Sequence, residues 1–313
     1  MRIVFFGSPD FALPSLDALV AAGHDVVLAV SQPAKPVGRS AEVADPPIAR
    51  RARELAIPVF QPPTLKDDEA VARLAGANAD LFVVVAYGKI LAQRVLDLPR
   101  LGCVNVHGSI LPRWRGASPV QAALLAGDAE AGVSIMRMEA GMDTGGVFAD
   151  LRTPIGADED AGTLSARLAG DGAALLVATL PRIASGEVEA VPQDDASATL
   201  CPKIRREDGR ADFSRPAIEL VRRLRAFTPW PGLFAFRHGR RVKLLAAREA
   251  AAREVTVRTG SAPGEVVAAG DEILLACGSG ALSVTRLQAE GRRPLDAGAF
   301  SRGERVVPGE SWA

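Results

Sequence analysis

Short runs that are apolar at nearly every position alternate with longer stretches of helical periodicity through the first half of the chain. The runs at residues 2–6, 25–31, 58–61, 80–87 and 102–107 read as strands, and residues 13–22, 47–55 and 92–96 as helices between them. Strands that are apolar throughout, rather than alternating, belong to a sheet covered on both faces, and a strand–helix rhythm makes that sheet mostly parallel. In such a sheet ligands sit beyond the carboxyl ends of the strands. His107 closes one of those strands.

Ser118-Pro119-Val120-Gln121 has the form of a helix start, with a serine cap, proline at the first turn and glutamine three residues after the cap; Gly127 is its stop. Residues 133–138 and 146–152 read as two further strands and 162–185 as a long amphipathic helix. Residues 187–198 are acidic and lack any period, which predicts a linker over 187–202 between a first domain at 1–186 and a second at 203–313. The second domain opens on a helix, 214–227, carrying Arg222, Arg223 and Arg225. Short alternating segments at 233–237, 242–247, 264–268, 272–277 and 282–287, separated by glycine-containing turns, predict a small β-barrel of the OB kind. The expected fold class is α/β, a Rossmann-like mostly parallel sheet followed by a smaller OB-like barrel.

Composition changes this picture in one respect. Lys plus Arg and Asp plus Glu both number 37 in 313 residues, so the whole chain is neutral. From Lys203 onward, however, 20 basic residues face 13 acidic ones, leaving 17 against 24 before it. A basic second half points to a polyanion or, equally on charge alone, to an arginine-rich solvated surface. Cys103, Cys201 and Cys277 are odd in number and far apart, which indicates a reducing, cytoplasmic setting and no zinc knuckle. Cys103 has the opposite strand parity to Asn105 and His107 and reads as a buried, inert residue. No apolar run approaches a membrane span, and the amino terminus is too quickly interrupted for a signal peptide. Neither a dinucleotide fingerprint nor a phosphate-binding P-loop is present, and the three histidines lack partners at metal-ligand spacing, so no metal, nicotinamide or flavin is expected.

The chemistry concentrates between Gly102 and Gly146. Asn105 and His107, two apart on a strand, project from one face just before Gly108 and Pro112 end it. About thirty residues on, Gly141-Met142-Asp143-Thr144-Gly145-Gly146 places a carboxylate in a glycine-rich turn able to fold back toward the histidine. An amide donor, an imidazole and a carboxylate suit acyl transfer: the amide for a developing oxyanion, the imidazole for protons, the carboxylate to orient and stabilise it.

Asn105, His107, Ser109-Ile110-Leu111-Pro112 and Asp143 resemble the signature of the folate-dependent formyltransferases, with Ile110 where that signature usually has leucine. Gly7-Ser8-Pro9-Asp10-Phe11-Ala12, Val85-Ala86-Tyr87-Gly88, Arg113-Trp114-Arg115-Gly116-Ala117-Ser118-Pro119 and Ala226-Phe227-Thr228-Pro229-Trp230-Pro231-Gly232 resemble the branch of that family whose acceptor is methionyl-tRNA. The resemblance runs nearly end to end. It implies an enzyme that moves a formyl group from 10-formyltetrahydrofolate to the α-amino group of initiator methionyl-tRNA, with Asn105, His107 and Asp143 as catalytic residues. It also maps the folate pocket onto Ser109, Ile110, Leu111 and Pro112 and the neighbouring Lys89, Ile90 and Leu91; ordinary core is an equal reading for Ile90, Leu91 and Ile110. Arg113 and Arg115 carry no assignment.

The departure from the family lies after the second strand. Gln32-Pro33-Ala34-Lys35-Pro36-Val37-Gly38-Arg39 follows the family's loop toward the tRNA acceptor end, but Ser40-Ala41-Glu42-Val43-Ala44-Asp45 replaces the basic residues usual there. Lys35 and Arg39 remain as phosphate contacts. Arg222, Arg223, Arg225, Arg240 and Arg241 are then expected to carry more of the tRNA affinity. A monomer without membrane contact is expected. The rivals are formyl transfer to a small amine, such as an amino sugar nucleotide or glycinamide ribonucleotide, and a catalytically silent RNA-binding relative.

Overall fold

The computed structural model describes residues 1–37, 42–251 and 261–313. They form two compact units. The first comprises Met1–Pro119, Ala129–Ile155 and Leu164–Pro202, the second Val120–Asp128, Gly156–Thr163 and Lys203–Ala313.

The first unit is built on seven strands: β1 (Arg2–Gly7), β2 (Asp25–Val30), β3 (Val59–Phe60), β4 (Leu81–Val85), β5 (Cys103–His107), β6 (Glu130–Arg137) and β7 (Val147–Pro154). Their order across the sheet is β7-β6-β5-β4-β1-β2-β3. The pairs from β5 through β3 are parallel, whereas β6 and β7 add antiparallel strands at one side. Ile3 to Phe6 and Leu81 to Val85 are buried along their whole length, as strands covered on both faces must be. The helix Ala161–Ser185 buries Leu164, Leu168, Leu176 and Leu180, which recur at helical spacing. At Gly172 an added Cβ would lie 2.9 Å from the Val106 side chain and 3.0 Å from Val133. Close helix–sheet packing therefore occupies the face opposite Asn105 and His107, and leaves their face to the site.

The predicted elements fall within a few residues of the observed ones, including the helix that starts at Pro119 and stops before Gly127. Residues 187–202, read from sequence as a linker, run along the first unit. Val191 bridges to Val147, and Leu200–Cys201 pairs in parallel with Arg115–Gly116.

In the second unit the helix Ala217–Ala226 precedes β8 (Leu233–Arg237), β9 (Arg240–Glu249), β10 (Val266–Ala269), β11 (Ile273–Ala276), β12 (Ala281–Ala289) and β13 (Leu295–Asp296). All pairs are antiparallel, in the order β8-β9-β12-β11-β10, with β13 beside β12. The five predicted strands are present and, among the described residues, pair along one antiparallel path, which bears out the smaller all-β second unit; the described pairs include none that closes it into a barrel. A count of short strands specifies how many there are, whereas closure depends on stagger that no strand encodes alone. Sequence reading also missed the helix Ala297–Glu304 and the hairpin Lys35–Val37 with Glu42–Ala44. Among the described residues no helix is long and apolar enough to cross a membrane, and no group of three or more His, Cys, Asp or Glu side chains is placed to hold a metal.

A buried ion pair ties the end of this unit together. Arg237 Nε donates to Glu310 Oε1 at 2.8 Å, and Trp312 Nε1 donates to the same oxygen at 2.8 Å. Burial alone would raise the Glu310 carboxyl, but these hydrogen bonds outweigh it and hold its pKa below the usual glutamate value. The stability this carboxylate contributes is thus present above its unfolded pKa and lost as pH falls through the depressed folded one. Arg237→Met leaves this carboxylate the Trp312 N–H and the exposed His238 3.8 Å away but no buried cation beside it, and is expected to cost about 3 kcal/mol in denaturant unfolding. An unchanged midpoint would show the pair to be idle.

Candidate active site

Strand β5 carries the site to its carboxyl end. Asn105 lies between Val84 on β4 and Met136 on β6, half-buried, and among the described residues its carboxamide takes no hydrogen-bond partner. His107 is 6 % exposed. Its Nε2 lies 3.0 Å from the carbonyl oxygen of Trp114. A carbonyl only accepts, so this nitrogen carries the proton and Nδ1 presents the lone pair in the neutral ring. Nδ1 faces Asp143 Oδ2 at 3.8 Å, which is ion-pair range for a protonated ring and too long for a hydrogen bond. The same Oδ2 accepts the backbone N–H of Gly116 at 2.8 Å.

One loop therefore serves both partners, since Trp114 locks the imidazole and Gly116 anchors the carboxylate. The backbone supports this at a cost. Trp114 and Asp143 have φ of 62° and 53°, left-handed values that a residue with a side chain adopts only when its surroundings impose them. Gly116, at φ 126°, lies so close to the next segment that a Cβ there would sit 2.3 Å from the Cys201 carbonyl oxygen.

The following turn is held from inside. Ser109 Oγ donates to the Arg113 carbonyl at 2.6 Å. The fully buried Ser134 hydroxyl donates to the Ser109 carbonyl at 2.8 Å and accepts from the Leu111 N–H at 3.1 Å. Leu111 is buried, Ile110 and Pro112 are half-buried, and the Leu111–Pro112 peptide is cis. Burial pushes the Cys103 thiol up to about 12, with Asp97 adding to the shift, so it stays protonated in the core.

Residues 1–180 match the formyl transferase family, and residues 203–305 match the formyl transferase C-terminal domain. This chain belongs to the formyl transferase family. A methionyl-tRNA formyltransferase of Pseudomonas fluorescens (strain SBW25) is 48% identical over 298 residues, covering 95% of this chain and 92% of that one. Another, of Pseudomonas putida (strain GB-1), is 46% identical over 314 residues, 99% of each chain. Among solved structures, HypX from Aquifex aeolicus in complex with tetrahydrofolic acid superposes with a TM-score of 0.62 at 18% identity, over 96% of this chain and 47% of that one. The sugar 3N-formyl transferase WlaRD gives 0.63 at 15% identity, over 94% and 99%. These two show a shared fold.

Within this formyltransferase the remaining predicted positions separate. Leu91 belongs to the hydrophobic core, whereas Ile90 is 79% exposed, an apolar side chain that the core does not use. Lys89 Nζ donates to the carbonyls of Pro62 and Pro63, and burial, with Lys35 nearby, lowers its pKa. Lys35 is exposed on its hairpin, and Arg39 lies outside the described residues. The Asp45 carboxylate accepts from Gln61 and Arg53, which hold its pKa down and pair its charge.

The five arginines of the second unit differ as much. Arg225 donates to the carbonyls of Glu159 and Gly156, both at 2.7 Å. Arg223 stacks over Phe227, its Nε buried without a partner, and burial lowers its pKa. Arg222 crosses over Gly127, where a Cβ would meet its guanidinium at 2.4 Å. Arg241 lies over Phe234 and 3.7 Å from Glu290, and Arg240 is exposed.

Sequence reading missed Gln193, Thr199 and the role of Arg115. Trp114 N–H donates to Thr199 Oγ1 and Arg115 N–H to the Thr199 carbonyl, each at 2.9 Å. The Arg115 guanidinium, buried, reaches Gln193 and Asp195. The only sequence signal was Arg115's place inside the motif.

Proposed function

We propose that this formyltransferase moves a formyl group from 10-formyltetrahydrofolate to the α-amino group of initiator methionyl-tRNA, in the cytoplasm. The observation that carries this reading is the likeness, along 95% to 99% of the chain and through both units, to methionyl-tRNA formyltransferases. The folate supplies an activated formyl carbon and a nitrogen leaving group. As the amine adds to that carbon, Asn105 donates from its unpartnered carboxamide to the oxygen that becomes negative. His107 takes the amine's proton on Nδ1, because Nε2 is engaged by the Trp114 carbonyl. Asp143, anchored by Gly116, stabilises the imidazolium across 3.8 Å. His107 then returns the proton to the departing nitrogen and the ring is neutral again.

For the folate itself, Ile90 and Ile110 offer apolar surface to a flat ring, and backbone groups of residues 109–112 read its edge. Leu91 supports this surface from the core, and Lys89, tied to two carbonyls, shapes the loop. The test is formyl transfer to methionyl-tRNA, free methionine, glycinamide ribonucleotide and an amino sugar nucleotide under one set of conditions. The reading requires the highest kcat/KM for methionyl-tRNA; a preference for either small amine overturns it.

Electrostatic contact with tRNA suits cations whose donors are not already spent among the described residues, which favours Lys35 and Arg240 over Arg225. Arg240→Gln is expected to flatten the salt dependence of tRNA binding by about one unit of slope or a little less. Arg225→Gln is expected to leave the slope unchanged and to lower folding stability by about 1.5–3 kcal/mol through its lost carbonyl bonds. Titrations with tRNA at several salt concentrations, beside thermal unfolding, separate the two.

A further inference from the structure

We propose that Gln193 is a positioning residue for formyl transfer, holding Asp143 at its working distance from His107. The inference rests on the reading of those two side chains as the reacting pair. Gln193 Nε2 donates to two backbone carbonyls of the turn that carries the carboxylate, Asp143 at 2.8 Å and Gly145 at 2.7 Å. Its Oε1 accepts from Arg115 Nε at 3.0 Å. A carboxamide has two N–H donors, and both are spent here on one turn.

The arrangement gives that turn what it lacks. Asp143 sits at φ 53°, outside the range a side-chain-bearing residue prefers, and no strand or helix contains it. The turn also lies hard against β6, since a Cβ on Gly145 would be 2.0 Å from the Arg137 carbonyl oxygen. On the other side, Arg115 belongs to the loop whose Trp114 carbonyl holds His107 and whose Gly116 N–H holds Asp143. Asp195 fixes the far end of the Arg115 guanidinium at 2.7 Å. Gln193 thus ties the loop that fixes the imidazole to the turn that fixes the carboxylate, through a segment that touches neither reacting atom.

The donor sense is specific. Asparagine is one methylene too short to span the same three partners. Glutamate would set a carboxylate oxygen against two carbonyl oxygens. Methionine keeps the length and volume but supplies no donor. A structural filler would tolerate methionine.

The experiment measures kcat and both KM values for Gln193→Met and Gln193→Glu, each alone and combined with Asp143→Asn, well below the unfolding temperature of every variant. The expected result for both single variants is a fall in kcat on the order of a hundredfold with little change in either KM, as for a catalytic group displaced by about 1 Å. In the Asp143→Asn background the same substitutions are expected to lower kcat by less than about threefold, because their effect passes through the carboxylate already lost. Near-wild-type kcat in Gln193→Met, or an undiminished loss in the double variants, overturns the proposal. If Asp143→Asn itself collapses turnover while Gln193→Met does not, the positioning role falls and the reacting pair stands. If Asp143→Asn retains its rate, the pair falls and the positioning role falls with it.

Discussion

His107→Ala is expected to lower turnover by about 10²- to 10⁴-fold, the range for removal of a positioned general base. Among the described residues its ring bonds only the Trp114 carbonyl, so the cost to folding, from that bond and the cavity left by a buried ring, is expected to be about 2–3 kcal/mol, short of unfolding the protein. Folate and tRNA binding should therefore survive, and the loss should appear in kcat. Asn105→Ala is expected to lose about 10²- to 10³-fold, as for one oxyanion donor. Its carboxamide bonds nothing among the described residues, so folding should be almost unaffected. Steady-state kinetics with methionyl-tRNA and unfolding curves for both variants check this. Turnover near that of the wild type removes the substituted residue from the mechanism.

Asp143→Asn is expected to lower kcat by about 10²- to 10³-fold, comparable to other losses of electrostatic stabilisation at a reacting centre. The substitution keeps size and can keep the bond from Gly116 N–H through its amide oxygen. That oxygen, the atom nearest Nδ1, still faces the ring, but an amide oxygen interacts with an imidazolium more weakly than a carboxylate does. The charge that stabilises the imidazolium is gone. A variant that keeps its rate and unfolds more easily would make Asp143 a turn-forming residue, a role its left-handed backbone and the neighbouring Gly141 and Gly145 would also allow.

The parts of the fold legible in the sequence are those in which local pattern and burial agree. Ile3 to Phe6 and Leu81 to Val85 announce a doubly covered parallel sheet because each is apolar without alternation, and Gly108 ends β5 where His107 must emerge. The helix Ala297–Glu304 is different: with two glycines, two alanines and a serine around Phe300, its local pattern is weak. Packing of Ala297 and Phe300 decides its conformation. In the site, Asn105, His107 and Asp143 are side-chain chemistry and leave a motif. The lock on Nε2 is a backbone carbonyl, and the targets of Gln193 are two more. Backbone carbonyls exist at every position and leave no signature, so neither contact was readable. Charge shows the same limit: Arg225 and Arg240 count equally in composition, yet one is bonded to the chain and the other faces out.

The whole mechanism turns on one nitrogen of one imidazole. ¹⁵N NMR of the protein labelled at histidine, with His107 assigned by the signals lost in His107→Ala, reads the protonation of each ring nitrogen directly. In the neutral ring the proton is predicted on Nε2 and the lone pair on Nδ1, facing Asp143. A neutral ring with its proton on Nδ1 would leave no base on the carboxylate side and would contradict the mechanism.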